Sequence, residues 1–206
     1  MAPQSALGKA LARIKIPDSI QSAMQGMKDA KAWFKQKLSN ILQGKKDDEV
    51  EDYGLETSYR GMKSNVKDPF GRMSYFIYQA EHDKKLPYWD MTPLSILYDE
   101  DAEHFYGLNL HYVHPMIRAS ILRSLVNHMM NANSEKAFLR ISYNIIKTLS
   151  TNKYIKPCIK TYLKSNFRTP PVVIKPDYWH KAIMLPTANW VRASNSRVWT
   201  KSSQMF

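Results

Sequence analysis

The sequence predicts an α+β fold: a small antiparallel, aromatic-rich sheet or partly open barrel, packed with two to three helices and preceded by an N-terminal amphipathic helical arm. Apolar residues recur at helical spacing near the N-terminus and again after Pro115. Between these segments, short aromatic runs alternate at strand spacing and are bounded by turn residues. The 206 residues are 44% hydrophobic and 12% aromatic, which is enough apolar material for a core.

Residues 1–46 form the predicted arm, a basic helix that begins after Pro17 with Asp18 or Ser19 as its cap. Lysines occupy one face, and the opposite face is a predicted partner-docking surface made of Ile20, Met24, Met27, Phe34, Leu38 and Ile41. Three interpretations stay open: docking onto a partner or onto the main domain, binding to an anionic membrane, or partial disorder of the isolated arm. We favour docking, because methionine adapts well to protein contacts and no lipidation signal is present.

Residues 47–69 are predicted to be an acidic and polar linker, and residues 70–206 an α+β domain with a basic C-terminal lobe. The acidic run at 47–52 is not a metal site in our interpretation, because no turn chemistry would make its neighbouring carboxylates converge. Within the domain, strands are predicted at Met73–Tyr78, Thr92–Tyr98 and Phe105–Tyr112.

Helices dominate the predicted second half of the domain. Pro115 suits a first helical position, and apolar residues follow it at four-residue spacing up to Met129. A second helix is predicted from Asn133 or Ser134 to about Ser150, and a shorter one from Pro157 through Ser165. The C-terminal segments are a strand at Ile183–Leu185, a helical turn at Ala188–Arg192 and a strand at Arg197–Trp199.

Charge is distributed unevenly along a chain that carries a net charge of +12. Residues 1–46 hold nine basic and two acidic residues, whereas residues 47–110 hold six basic and fourteen acidic ones. Residues 111–206 hold fifteen basic residues against two acidic ones. An anionic partner is therefore expected, and composition alone leaves nucleic acid, membrane and an acidic protein open.

The basic lobe contains the predicted nucleic-acid-binding residues. On the predicted short helix, lysines four residues apart would line one face opposite a row of phosphates, with aromatic residues between them as stacking platforms. A second group near the C-terminus combines arginines with Trp190 and Trp199. The alternative is a solvated helix face, with tryptophans in the core and arginines at its rim. The predicted contacts are Lys153, Lys156, Lys160, Lys164, Arg168, Arg192, Arg197 and Lys201.

No template for catalysis or metal binding is recognisable. The chain has no phosphate-cradling glycine loop, nucleophile elbow or zinc-protease motif, so neither a cofactor nor a small-molecule substrate is predicted. His111 and His114 would need a third ligand to hold zinc. Cys158 is interpreted as a structural residue. No secretory signal is readable, and no apolar run is long enough to span a membrane, so no transmembrane segment is expected.

A succession of short motifs in residues 70–200 resembles the DNA end protector proteins of T-even-type myoviruses. These motifs are Gly71–Phe76, Leu86–Leu94, Phe105–Pro115 followed by Arg118 and Ala119, Lys156–Leu163 and Trp179–Pro186. The resemblance implies a minor virion protein at the end of the packaged genome, near the portal vertex at the head–tail junction. It also implies shielding of the double-stranded DNA end from host exonuclease, and a part in head completion with portal, neck or other virion proteins. The resemblance therefore favours DNA as the anionic partner, and no membrane partner is expected.

Two other classes of function remain as rivals. A structural subunit of the neck or baseplate would use the arm helix to dock onto a neighbouring virion protein and would not touch DNA. A nuclease is disfavoured, because residues 111–206 contain only Glu135 and Asp177 as acids.

Overall fold

The computed structural model describes residues 13, 15, 18–42, 55–57, 73–129, 155–169, 171–174 and 178–204. Its helices are α1 (Ile20–Leu42), α2 (Pro115–Met129), α3 (Trp179–Ala182) and α4 (Asn195–Gln204). Its strands are β1 (Leu55–Thr57), β2 (Met73–Tyr75), β3 (Trp89–Asp90), β4 (Leu94–Glu100), β5 (His104–Asn109), β6 (Ile159–Leu163), β7 (Val172–Ile174) and β8 (Trp190–Val191). The predicted α+β class is confirmed.

Six antiparallel strands form one sheet in the order β1-β7-β2-β4-β5-β6, and β3 pairs with β8 separately. Because β1 and β6 lie at its two edges, the sheet is open. Of the two predicted forms, sheet or partly open barrel, the described residues therefore adopt the sheet. Strand β1 falls inside the segment predicted as a linker and pairs with β7.

The two faces of the sheet carry different cores, because side chains alternate along each strand. In β4, Leu94 and Ile96 join a large core shared with the helices, whereas Leu97 faces the other side. There it packs in an aromatic cluster with Phe76, Tyr78, Trp89, Phe105, Tyr162 and Phe167.

Helix α1 packs against the rest of its own chain. Its buried face includes Trp33 and Phe34, which are 8% and 3% exposed. The Trp33 ring stacks on Tyr178 with centroids 5.8 Å apart, and Phe34 meets Tyr75 edge-on at 4.8 Å. Such aromatic pairs add to the stabilisation from buried area, so the arm helix is part of the folded domain's core.

Helix α2 begins at Pro115 and ends at Met129, as predicted. Its Arg118 is fully buried and does not extend the basic surface. The guanidinium donates hydrogen bonds to the carbonyl oxygens of Val113, Ile183 and Leu185, at 3.1, 3.0 and 2.8 Å. Arg118 thereby ties α2 to the segment that follows α3.

The helix predicted from Pro157 through Ser165 is wrong. Residues Lys156–Cys158 form a 3-10 turn, and the chain then continues as β6, paired with β5. Within β6 the sequence Ile-Lys-Thr-Tyr-Leu is rich in β-branched and aromatic side chains, which favour a strand when a neighbouring strand is available. Pairing with β5 thus outweighs the helical spacing of the lysines.

The sequence predictions for the three C-terminal segments are also wrong. Ile183 and Met184 form a turn after α3, and Trp190–Val191 is a strand. Arg197 lies in α4 because Ser194 caps this helix, its Oγ accepting from the Arg197 amide at 3.3 Å. The helix predicted from Asn133 or Ser134 lies outside the described residues. In the described part of the chain, no helix is both long and apolar enough to cross a membrane.

Candidate nucleic-acid interface

The predicted row of lysines does not form, because β6 replaces the helix that would have aligned them. Lys156 and Arg168 are exposed on either side of the strand, and Lys160 lies half-buried within it. Lys164 is already engaged: its Nζ pairs with Glu100 Oε2 at 2.5 Å and donates to the Asp101 carbonyl at 2.7 Å. Lys153 lies outside the described residues.

Lys160 occupies an unusual environment for a lysine. Its Nζ lies 3.6 Å from the centroid of the Tyr112 ring, which is within cation–π range. Burial lowers the pKa of Lys160 to about 8. Among the described residues, no carboxylate pairs with it. A half-buried cation whose companion is an aromatic face is available to an anionic ligand.

The C-terminal cations divide into structural and exposed groups. Arg192 donates through Nη1 to the carbonyl oxygens of Asp83, Lys84 and Leu86, at 2.7, 3.2 and 3.2 Å, so it caps the loop before β3. Lys201 is exposed, and its Nζ lies 5.5 Å from the Tyr88 ring centroid.

Arg197 is also exposed and close to Tyr88. Burial raises the pKa of the Tyr88 hydroxyl, and the positive charge of Arg197 partly counteracts this. Arg197 also donates to the Arg192 carbonyl at 3.4 Å. Of the predicted contacts, Lys160, Arg197 and Lys201 are therefore brought together around two tyrosines, Tyr88 and Tyr112.

Lys160 lines a cleft of about 470 Å³, which we call the aromatic cleft, and Arg197 and Lys201 lie near Tyr88 in its wall. Tyr88 and Tyr112, with ring centroids 6.1 Å apart, form part of its wall, and the edge of Trp190 packs against both rings. Its other lining side chains include Tyr78, Trp89, His104, Asn109 and Tyr162. Aromatic walls next to cations are the combination with which proteins hold nucleotides.

Gly107 of β5 makes room for one of these walls. It lies opposite Lys160 in the strand pair. A Cβ at this position would approach Tyr162 Cε2 to 3.2 Å and the Ser95 hydroxyl still more closely. The absence of a side chain therefore allows the Tyr162 ring to lie across the sheet.

A buried polar network supports the base of the aromatic cleft. The Asp90 carboxylate receives hydrogen bonds from His111 Nδ1 at 2.7 Å and Asn109 Nδ2 at 3.1 Å. It also accepts from the backbone amides of Thr92 and Asn189, each at 3.1 Å. Burial alone would raise the pKa of Asp90, but His111 and the other donors hold it below the usual value.

His111 is the second member of this network. Burial lowers its pKa, and the Asp90 carboxylate only partly offsets that effect. The neutral ring therefore donates from Nδ1 to Asp90, while Nε2 faces Thr187 Oγ1 at 3.4 Å. The indole of Trp199 donates to the His111 carbonyl at 3.0 Å, which attaches α4 to the same network.

The sequence patterns did not identify four residues of the site, which are Tyr88, Asp90, Asn109 and Tyr112. They come from two of the motifs on which the family resemblance rests, Leu86–Leu94 and Phe105–Pro115. A signal was thus present, since two motifs separated only by residues 95–104 each combined a tyrosine with a polar side chain. Residue spacing alone did not indicate that the motifs meet.

The predicted docking residues of α1 are divided between core and surface. Phe34 is buried and Met27 packs against the core, whereas Ile20 and Met24 are 65% and 52% exposed. The side chains of Leu38 and Ile41 lie outside the described part of the structure.

The other residues that were considered for catalysis or zinc binding, Cys158 and His114, pack against neighbouring side chains. Burial raises the pKa of the Cys158 thiol to about 12, which opposes formation of the nucleophilic thiolate. The His114 ring packs edge-on against Trp199 with centroids 4.8 Å apart. Within the described ranges, no group of three or more His, Cys, Asp or Glu residues is placed to hold a metal ion.

Comparison with known proteins adds one finding. A family model described as phage T4 terminal DNA protecting protein matches residues 13–202. The matched span includes α1 and therefore extends beyond the motifs of residues 70–200. Searches of curated proteins and of solved structures found no match.

Proposed function

The chain belongs to the family of the phage T4 terminal DNA protecting protein, and from this premise we propose that it binds the end of double-stranded DNA at the aromatic cleft. The observation that carries the proposal is the convergence of Lys160, Arg197 and Lys201 on Tyr88 and Tyr112. Protection would be non-catalytic: a bound protein covers the terminus that an exonuclease has to engage.

We also propose a location and further partners. The protein would act in the virion at the head–tail junction, near the portal vertex, and would help to complete the head by contacting portal, neck or other virion proteins. Support for this part of the proposal comes from the resemblance to DNA end protector proteins.

A salt titration of binding to an end-labelled duplex tests the DNA contact. Log K falls with log salt by about 0.9 for each phosphate neutralised. Five of the predicted contacts form no ion pair with a described carboxylate and, unlike Arg192, do not cap a loop, so we expect a slope of about −4 to −5. They are Lys156, Lys160, Arg168, Arg197 and Lys201. A slope near zero would refute the proposal.

Protection itself is measured by digesting linear DNA with a processive exonuclease at increasing protein concentration. An equal mass of covalently closed circular DNA serves as competitor. If the protein selects ends, the circular competitor leaves protection unchanged. If the circle abolishes protection, the protein binds duplex along its length and end binding is refuted.

The alternative is a structural neck or baseplate subunit that docks through α1 without contacting DNA. The exposure of Ile20 and Met24 favours it, because two large apolar side chains on one helix are available to a neighbouring protein. A full-length protein that is incorporated into particles but is inert towards DNA supports this alternative and excludes end binding.

A further inference from the structure

The shape of the aromatic cleft restricts what part of a DNA end it accepts. A volume of about 470 Å³ lies in the range of pockets that hold a single small organic ligand, roughly 300–1,000 Å³. A base pair with both of its backbones is larger than such a ligand. One nucleotide of one strand therefore fits, whereas the paired terminus has to remain outside.

The chemistry of the walls matches that of a nucleotide. The half-buried Tyr88 ring offers an aromatic surface at the cleft, and bases of any sequence stack on such surfaces. Lys160 supplies a cation inside, and Lys201 and Arg197 supply cations beside Tyr88. A nucleotide, in which a planar base is attached to an anionic phosphate, matches both the aromatic surface and the cations.

We infer that the aromatic cleft captures the unpaired terminal nucleotide of one strand, with the base stacked on Tyr88 and its phosphate held by Lys160 and the cations beside Tyr88. The inference rests on the proposed function, since it specifies which part of the DNA end is bound. Taking a base out of a duplex is least costly where it is already unpaired, and this directs the cleft to frayed or overhanging ends rather than to internal base pairs.

Fluorescence of 2-aminopurine tests the inference with the full-length protein. The probe is placed as a one-nucleotide overhang on a short duplex, at an internal position of the same duplex, and in the middle of a single strand. We expect saturable quenching for the overhang only. Replacing the overhanging nucleotide with an abasic one should weaken binding about 10-fold, because base stacking is lost while the phosphate remains.

Variants connect the signal to the cleft. Tyr88→Ala should abolish the quenching, and Tyr88→Phe, which keeps the ring, should restore it. Lys160→Gln should weaken overhang binding more than Lys31→Gln, which removes the same charge from the exposed face of α1. Thermal unfolding of each variant identifies any that fail to fold, and the comparison of Lys160→Gln with Lys31→Gln keeps the test valid if Tyr88→Ala does not fold.

The outcomes separate the inference from the proposed function. If the protein binds duplex ends with a salt-dependent affinity but the overhang is not quenched, the inference is wrong and the proposed function stands. Equal quenching inside a single strand also overturns the inference, because the cleft would then bind any unpaired base. If no DNA is bound at any salt concentration, both fail.

Discussion

The ammonium group of Lys160 lies 3.6 Å from the centre of the Tyr112 ring, in a strand whose lysine is half-buried. Burial lowers the pKa of Lys160 to about 8, from 10.5 for an ordinary lysine. Between these two pH values the unfolded chain holds a proton that the folded chain has released. The free energy of unfolding therefore rises with pH across this interval.

The lowered pKa of Lys160 predicts that the wild-type protein gains stability at alkaline pH and that the Lys160→Met variant lacks this gain. Between pH 8 and 10.5 the wild-type protein should gain up to about 3 kcal/mol relative to the variant. Urea unfolding at pH 7, 9 and 10.5 measures the difference. Lys181→Met, at an exposed position of α3, is the control and should follow the wild-type profile. Parallel profiles for wild type and Lys160→Met would contradict the assignment.

The Asp90 network predicts a large loss of stability in Asp90→Ala. The change leaves the His111 ring, the Asn109 amide and two backbone amides without their acceptor in a buried site. Each buried donor left without its acceptor costs about 1–3 kcal/mol, so the variant should lose at least about 3 kcal/mol. Chemical denaturation at pH 7 measures it. Glu103→Ala, in the exposed turn before β5, should change stability by less than about 0.5 kcal/mol.

The same network predicts acid sensitivity in two stages. Because burial lowers the pKa of His111, the unfolded chain takes up a proton below about pH 6.5 that the folded chain refuses, and stability falls as pH decreases. The pKa of Asp90 is also lowered, so its contribution is present above 3.8 and is lost as pH falls below that value. In His111→Gln the loss that begins near pH 6.5 should become smaller, as measured by unfolding midpoints from pH 7 to 4, and the part that remains is attributed to His114, whose pKa is also lowered by burial.

Arg192 and Lys201 are both basic residues near the C-terminus, yet they should behave differently towards DNA. Arg192 has a left-handed backbone, with φ of 63°, and its guanidinium is engaged by three loop carbonyl groups. Arg192→Gln should lower stability by about 1 kcal/mol, because these bonds to a charged donor are lost, and should leave the salt slope unchanged.

Lys201→Gln should do the opposite. Its ammonium lies beside Tyr88 without an ion pair in the described part of the chain, so the variant loses one phosphate contact and the slope becomes shallower by about 0.9. Stability should change by less than about 0.5 kcal/mol. Parallel measurement of urea midpoints and salt slopes distinguishes the two residues, and equal effects of both variants on the slope would contradict the assignment of Arg192 to loop capping.

Local sequence patterns predicted the elements that depend on local chemistry. Pro115 starts α2 because its ring favours a first helical position, and the alternating aromatic runs indicate β4 and β5. The lysines around Lys160 were misinterpreted because their spacing suits a helix, whereas pairing with β5 determines the structure. Such pairing between residues about 50 positions apart is invisible to a local pattern.

The candidate site was predictable in composition and less so in arrangement. The basic residues near the C-terminus were identified as a group. Geometry separates Lys164 and Arg192, which hold loops, from Lys160, which lines the aromatic cleft, and Lys201, which lies near Tyr88. Whether a cation is free or engaged depends on carbonyl groups and carboxylates brought close by the fold. A charge count contains none of that information.

The packing of α1 changes how the alternative function has to be tested. Deleting residues 1–46 would remove Trp33 and Phe34 from the core, so any loss of incorporation would report unfolding. The double variant Ile20→Ser, Met24→Ser alters only exposed side chains of this helix and should leave the melting temperature nearly unchanged. If α1 docks onto a neighbouring virion protein, the double variant should reduce particle incorporation several-fold while binding to duplex ends is unaffected. Lys28→Ser, Lys31→Ser, on exposed positions of the same helix, is the matched control. Wild-type incorporation of the apolar double variant would exclude docking through this face.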